Sequence, residues 1–74
     1  MTKLGEYLTK KSVNKAEVAR RTGISKSRLS ELSTNPKTKL RAKELYLIAL
    51  AIDVNPCVVL EEIFEEVKLS NKKG

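Results

Sequence analysis

The run NKAEVARRTGISKSRLSEL, residues 14–32, leaves little room for anything but two short helices meeting at Gly23. Asn14 is a good N-cap, and Glu17 three residues on completes a capping-box pattern. Val13 before the cap and Val18 beyond it can close a hydrophobic staple. Gly23 stands where the first helix must stop, and glycine accepts the left-handed conformation that a residue just past a helix end needs. Ser25 then caps a second helix. Ile24 and Leu29 repeat the staple around it at the same spacing.

Helical spacing places Val18 and Ala19 on the inner face of the first helix and Leu29 and Leu32 on that of the second. The small side chain of Ala19 lets the two helices approach closely. The solvent side of the second helix is then Lys26, Ser27, Arg28, Ser30, Glu31 and Thr34, with no large apolar group among them. An ordinary amphipathic hairpin with a solvated face would account for either helix taken alone. The joint spacing of Ala19, Gly23, Ile24, Leu29 and Leu32, together with that basic, short-side-chained face, favours a helix-turn-helix that enters the major groove of DNA.

Charge is segregated along the chain. Residues 1–43 carry 12 basic and 3 acidic side chains, a net +9, whereas residues 44–67 carry no basic and 6 acidic ones, a net −6. A polyanion would meet the N-terminal part and avoid the C-terminal helices. The 74 residues suffice for one small domain, which compact helices build economically. One cysteine and no histidine exclude an internal disulfide and the usual zinc ligand sets, so no metal or cofactor is expected. No apolar run approaches the roughly 20 residues that span a bilayer, and no signal-peptide core opens the chain. These features lead to the expectation of a cytoplasmic, membrane-free protein.

Three further helices are predicted. In KLGEYLTKK, residues 3–11, Leu4, Tyr7 and Leu8 share one face, and Gly5 weakens the helix by roughly 1 kcal/mol relative to alanine. Pro36 should end the second hairpin helix by Thr34. The connection STNPKTKLR spaces Lys37, Lys39 and Arg41 where they can grip phosphates or simply be solvated. In AKELYLIALAI, residues 42–52, Leu45, Ile48, Ala49 and Ile52 make a core stripe. Glu44 stands where a capping-box acid belongs, but Arg41 is a poor cap; a long cation there could reach DNA. In NPCVVLEEIFEEV, residues 55–67, Asn55 caps and Pro56 takes the first helical position. Val59, Leu60, Ile63, Phe64 and Val67 line a broad apolar face opposite Glu61, Glu62, Glu65 and Glu66. Tyr7 and Tyr46 are expected at the edge of the core. Cys57 reads as a half-buried inert thiol or, from its place in a helix's first turn, a redox-sensitive one. The organisation is one domain over residues 1–69 and a frayed basic tail over 70–74.

On Asn14–Leu32 and the later run LYLIALAIDVNP, the chain resembles the lambda-repressor-like helix-turn-helix family of phage repressors, Cro-type proteins and small bacterial regulators of the XRE type. The resemblance covers about residues 3–64. It implies an all-α, compact five-helix DNA-binding domain that commonly works as a dimer. It places phosphate contacts on Asn14 and Lys15 at the start of the second helix and on Asn35, Lys37 and Lys39 in the loop. Groove-reading side chains fall on Lys26, Ser27, Arg28 and Glu31. The chain departs from the family pattern at Thr22, usually apolar; at Asn35-Pro36, usually glycine; and at Arg41, usually a small cap.

The function expected is that of a sequence-specific double-stranded-DNA-binding transcription regulator, a repressor, in a bacterial or phage nucleoid setting. Lys26 or Arg28 could donate to guanine, Ser27 and Ser30 can donate or accept, and Glu31 could accept from cytosine or instead pair with Arg28. Thr34 and Arg41 join the phosphate set. A near-palindromic operator and a homodimer through Ile63, Phe64 or Val67 would supply the affinity that one small domain lacks, although those three side chains could equally be core. Two alternatives stay open: an antitoxin-like adaptor whose last helix or tail also engages a protein, and a nonspecific nucleic-acid binder. Enzyme activity is not expected, because no nucleophile–base pair or phosphate-cradling glycine loop is present.

Overall fold

A computed structural model describes residues 1–70, which form five α-helices and, among these residues, no strand: α1 (Lys3–Lys10), α2 (Lys15–Thr22), α3 (Lys26–Thr34), α4 (Ala42–Ala51) and α5 (Pro56–Ile63). The helix boundaries follow local chemistry. Asn14 accepts from the Glu17 N–H at 3.1 Å, and Ser25 accepts from the Arg28 N–H at 3.1 Å. Gly23 adopts φ +79°, and its N–H bonds to the Ala19 carbonyl, which closes α2. Asn55 accepts from the Cys57 N–H with Pro56 at the helix start. Thr22, an unusual polar choice, donates to the Val18 carbonyl at 2.8 Å and accepts from the Ile24 N–H at 3.1 Å, so its hydroxyl stitches the turn.

The core is the one that helical periodicity delivers. Leu4, Tyr7, Leu8, Val18, Ala19, Leu29, Leu32, Leu45, Ile48, Ala49, Val59 and Ile63 are buried in one cluster, with Val13, Ile24, Leu40, Ile52 and Val54 packed against it. Each staple therefore places at least one of its two members in this cluster and the other against it. Helix α1 packs on α3 and α5, and α2 packs on α3 and α4. The hairpin is thus braced from two sides.

The glycine in α1 has a structural cause. A Cβ at Gly5 would lie 2.1 Å from the Ser33 carbonyl oxygen, so a side chain there would hold α1 off α3. The same contact is tied by Thr2. Its N–H donates to the Ser33 carbonyl at 2.9 Å, its hydroxyl donates to the Leu32 carbonyl at 2.7 Å, and that hydroxyl accepts from the Gly5 N–H at 3.0 Å. One residue therefore caps the start of α1 and the end of α3.

The last helix departs from expectation. It ends at Ile63 rather than Val67, and residues 64–66 form a turn. Glu61, Glu62, Glu65 and Glu66 place four carboxylates around its carbonyl end, where the helix dipole disfavours negative charge. The predicted broad apolar face is also split. Val59 and Ile63 are buried, whereas Leu60, Phe64 and Val67 are exposed. Ile63, counted among the surface residues of a prospective dimer, is a core residue at 6% exposure. Tyr46 stands exposed rather than at the core edge, Cys57 is exposed rather than half-buried, and Tyr7 is inside the core, its hydroxyl without a hydrogen-bond partner among the described residues. Of the expected tail, Ser70 is exposed, and residues 71–74 lie outside the described residues.

Candidate nucleic-acid interface

Helix α3 divides cleanly into an inner and an outer side. Leu29, Leu32 and Ser33 face inward and are buried, the Ser33 hydroxyl being satisfied by the Leu29 carbonyl at 2.8 Å. Lys26, Ser27, Ser30, Glu31 and Thr34 are all exposed. None of the described residues buries this row of side chains, which leaves it open to solvent.

Arg28 behaves differently. Its spacing puts it on the outer side, as a guanine donor or a partner of Glu31, but it turns back into the molecule. Its Nε donates to Glu44 Oε2 at 2.8 Å, and one terminal nitrogen donates to Glu44 Oε1 at 3.0 Å and to the Lys39 carbonyl at 2.9 Å. The Arg28 hydrogen bonds above all, helped by the Arg41 N–H and opposed by partial burial, hold the Glu44 carboxyl below the usual carboxylate range. The local pairing of Arg28 with Glu31 is not formed. Glu31 instead accepts from the Thr38 hydroxyl at 3.0 Å, which joins α3 to the following loop.

That loop is built by its own turn chemistry. Asn35 accepts from the Lys37 N–H at 2.9 Å, and the Thr38 N–H bonds to the Asn35 carbonyl at 3.0 Å. Asn35-Pro36 thus forms an Asx-type turn where the family usually has glycine. The turn leaves Lys37 and Lys39 exposed. Arg41 caps nothing with its own side chain, since a guanidinium has no acceptor. Its N–H is instead accepted by Glu44 Oε1 at 3.0 Å, and its side chain is left outward.

Ion pairs engage only some of the cations. Lys3 pairs with Glu65 and Glu66, Lys10 with Glu62, and Arg20 with Glu17. Lys15, Lys26, Lys37, Lys39 and Arg41 make no ion pair among the described residues. The cations on and beside α3 are therefore left for an outside anion. Asn14 and Lys15 at the start of α2 are exposed, as is Thr34, whose hydroxyl is bonded to the Ser30 carbonyl at 2.8 Å.

A model of the Cro/C1-type HTH DNA-binding domain matches residues 3–65, which is most of the chain. The chain belongs to the Cro/C1-type helix-turn-helix DNA-binding domain family. No curated protein and no solved structure matches it. The family assignment fits the five-helix all-α architecture of a DNA-binding domain. Among the described residues, no helix of this Cro/C1-type domain is long and apolar enough to cross a membrane. No group of three or more His, Cys, Asp or Glu could hold a metal there. Two residues that shape the interface carry no local signal for that role. The capping pattern gives Glu44 a role only in its own helix and the sequence gives Thr38 none; Glu44 meets Arg28 across 16 residues, and Thr38 meets Glu31 from the loop beyond the end of α3.

Proposed function

We propose that this Cro/C1-type domain is a sequence-specific transcription regulator that reads duplex DNA in the major groove with the outer side of α3. The observation that carries the reading is the exposed row Lys26, Ser27, Ser30, Glu31 and Thr34 beside cations that make no ion pair among the described residues. Lys26 suits guanine O6 and N7, the two serines donate or accept, and Glu31 accepts from cytosine N4 when it releases Thr38. Asn14, Lys15, Thr34, Asn35, Lys37, Lys39 and Arg41 form the phosphate set, which fixes register without reading sequence. Binding over a promoter would make the protein a repressor.

Selection from a pool of randomised duplex DNA tests this reading. A consensus is expected, near-palindromic, with half-sites about 34 Å apart for a dimer. Ser27→Ala and Lys26→Ala should then change the preferred base at defined positions. A uniform loss with the same preference would leave only phosphate attraction. For contacts with on the order of 8 phosphates, log K should fall with log salt at a slope of about −7.

A second reading is favoured by one observation: Leu60, Phe64 and Val67 stand exposed beside four glutamates at the end of α5. In that reading the same surface engages a different protein, as in an antitoxin-type adaptor, instead of a second copy of this chain. Co-purification with a second protein separates the two.

A further inference from the structure

We propose that Arg28 and Glu44 act as a strut that positions the reading side of α3, and that Arg28 itself contacts no base. The inference rests on the reading of α3 as the recognition helix. Position 28 lies in the first turn of α3, where sequence alone makes it an attractive guanine donor. The geometry assigns its donors elsewhere. The guanidinium meets the Glu44 carboxylate edge-on through two hydrogen bonds, of 2.8 and 3.0 Å, and adds a third, of 2.9 Å, to the Lys39 carbonyl. Such a fork fixes orientation as well as distance, which a lysine cannot do.

The same carboxylate also accepts from the Arg41 N–H at 3.0 Å. One side chain of α4 therefore ties together the first turn of α3, the end of the basic loop and the first turn of its own helix. Glu44 is largely withdrawn from solvent, with its side chain 12% exposed against 31% for Arg28. A guanidinium that swung out to a guanine would leave this carboxylate without its cation beside a polyanion, a costly arrangement. The opposite end of α3 is held independently, by Thr2 on the Leu32 and Ser33 carbonyls. With both ends fixed, the tilt of α3 is set before DNA arrives. Through the Lys39 carbonyl, the loop carrying Lys37 and Lys39 is held in register with it.

Electrostatics gives the strut an opposite sign from any simple charge effect. Glu44→Gln removes a negative charge close to the proposed DNA face, so charge alone would tighten binding to every duplex. The strut demands the reverse for the cognate sequence. The probes are the duplex enriched from a randomised pool by the wild-type protein and a scrambled duplex of the same length. Glu44→Gln is expected to weaken the enriched duplex about tenfold, the scale of one misplaced base contact. It should leave the scrambled duplex equally or more tightly bound, and the preferred bases should stay the same. Arg28→Lys should behave likewise. Enriched-duplex binding that is unchanged or tighter in Glu44→Gln, or a changed preferred base in Arg28→Lys, overturns the strut.

The wild-type complex provides a test that does not depend on the variants folding. In a nitrogen-15 NMR spectrum with the enriched duplex bound, the Arg28 Nε–H should exchange slowly, as in the free protein. A nuclear Overhauser contact from its guanidinium to a guanine overturns the proposal. If the pool yields no enriched sequence at all, the reading of α3 fails and the strut falls with it. Enrichment followed by either adverse result removes the strut alone.

Discussion

Gly5 shows how one atom can decide the placement of a helix. Helix propensity alone would make Gly5→Ala stabilising by roughly 1 kcal/mol. The missing Cβ, however, would sit 2.1 Å from a backbone oxygen of Ser33, and backbone cannot swing aside as a side chain can. We expect Gly5→Ala to destabilise by about 1–3 kcal/mol, the usual range for overpacking, as measured by denaturant unfolding. The sequence disclosed the glycine but not its reason, because the neighbour it must admit lies on a different helix. Thr2 is a similar case. Its hydroxyl links α1 to α3, so Thr2→Ala should loosen the end of α3, and amide exchange at Asn35 should quicken relative to Leu29.

At the level of helices, the Glu44 junction makes stability depend on acid. The Glu44 carboxyl titrates below its ordinary value, chiefly because of Arg28, with the Arg41 N–H assisting. Arg28, Arg41 and, more remotely, Glu31 are the charged groups that bear on the pair. A depressed native value means that the contribution is complete above the unfolded carboxylate range, near about pH 4.3, and is lost as pH falls through the folded value. Thermal unfolding between neutral pH and pH 3 should show a smaller acid-induced drop in Glu44→Gln than in the wild type. Glu17, lowered by Arg20, titrates in the same sense, so Glu17→Gln is the matching control. This junction also marks the limit of what was legible beforehand. Caps, staples and the 3.6-residue period are local signals, and they located the hairpin, α4 and most of the core. Glu44 reaches Arg28 over 16 residues. No period connects them, and the capping pattern at Arg41 already gave Glu44 a sufficient role. The early end of α5 escaped for a related reason. Apolar spacing continued to Val67, while four carboxylates worked against the helix there.

For the molecule as a whole, the two ends of the fold have different surfaces. One end presents Lys26, Lys37, Lys39 and Arg41, which make no ion pair among the described residues. The other carries glutamates, three of them paired to Lys3 and Lys10, beside exposed Leu60, Phe64 and Val67. If that apolar edge joins two copies, Phe64→Glu should convert dimer to monomer in sedimentation and weaken operator binding, while the unfolding midpoint changes little because Phe64 lies outside the core. An unchanged sedimentation coefficient would rule out this edge as the contact. Helix α3 has a different consequence at this scale. Leu29, Leu32 and Ser33 hold it to the body, and Arg28 and Thr2 secure its ends, whereas positions 26, 27, 30, 31 and 34 hold only exposed side chains. Apart from the Glu31–Thr38 hydrogen bond, those five sites can be rewritten almost independently of the scaffold. A lineage could drift from one target sequence to another, and a laboratory library could be steered the same way, with hardly any loss of foldability.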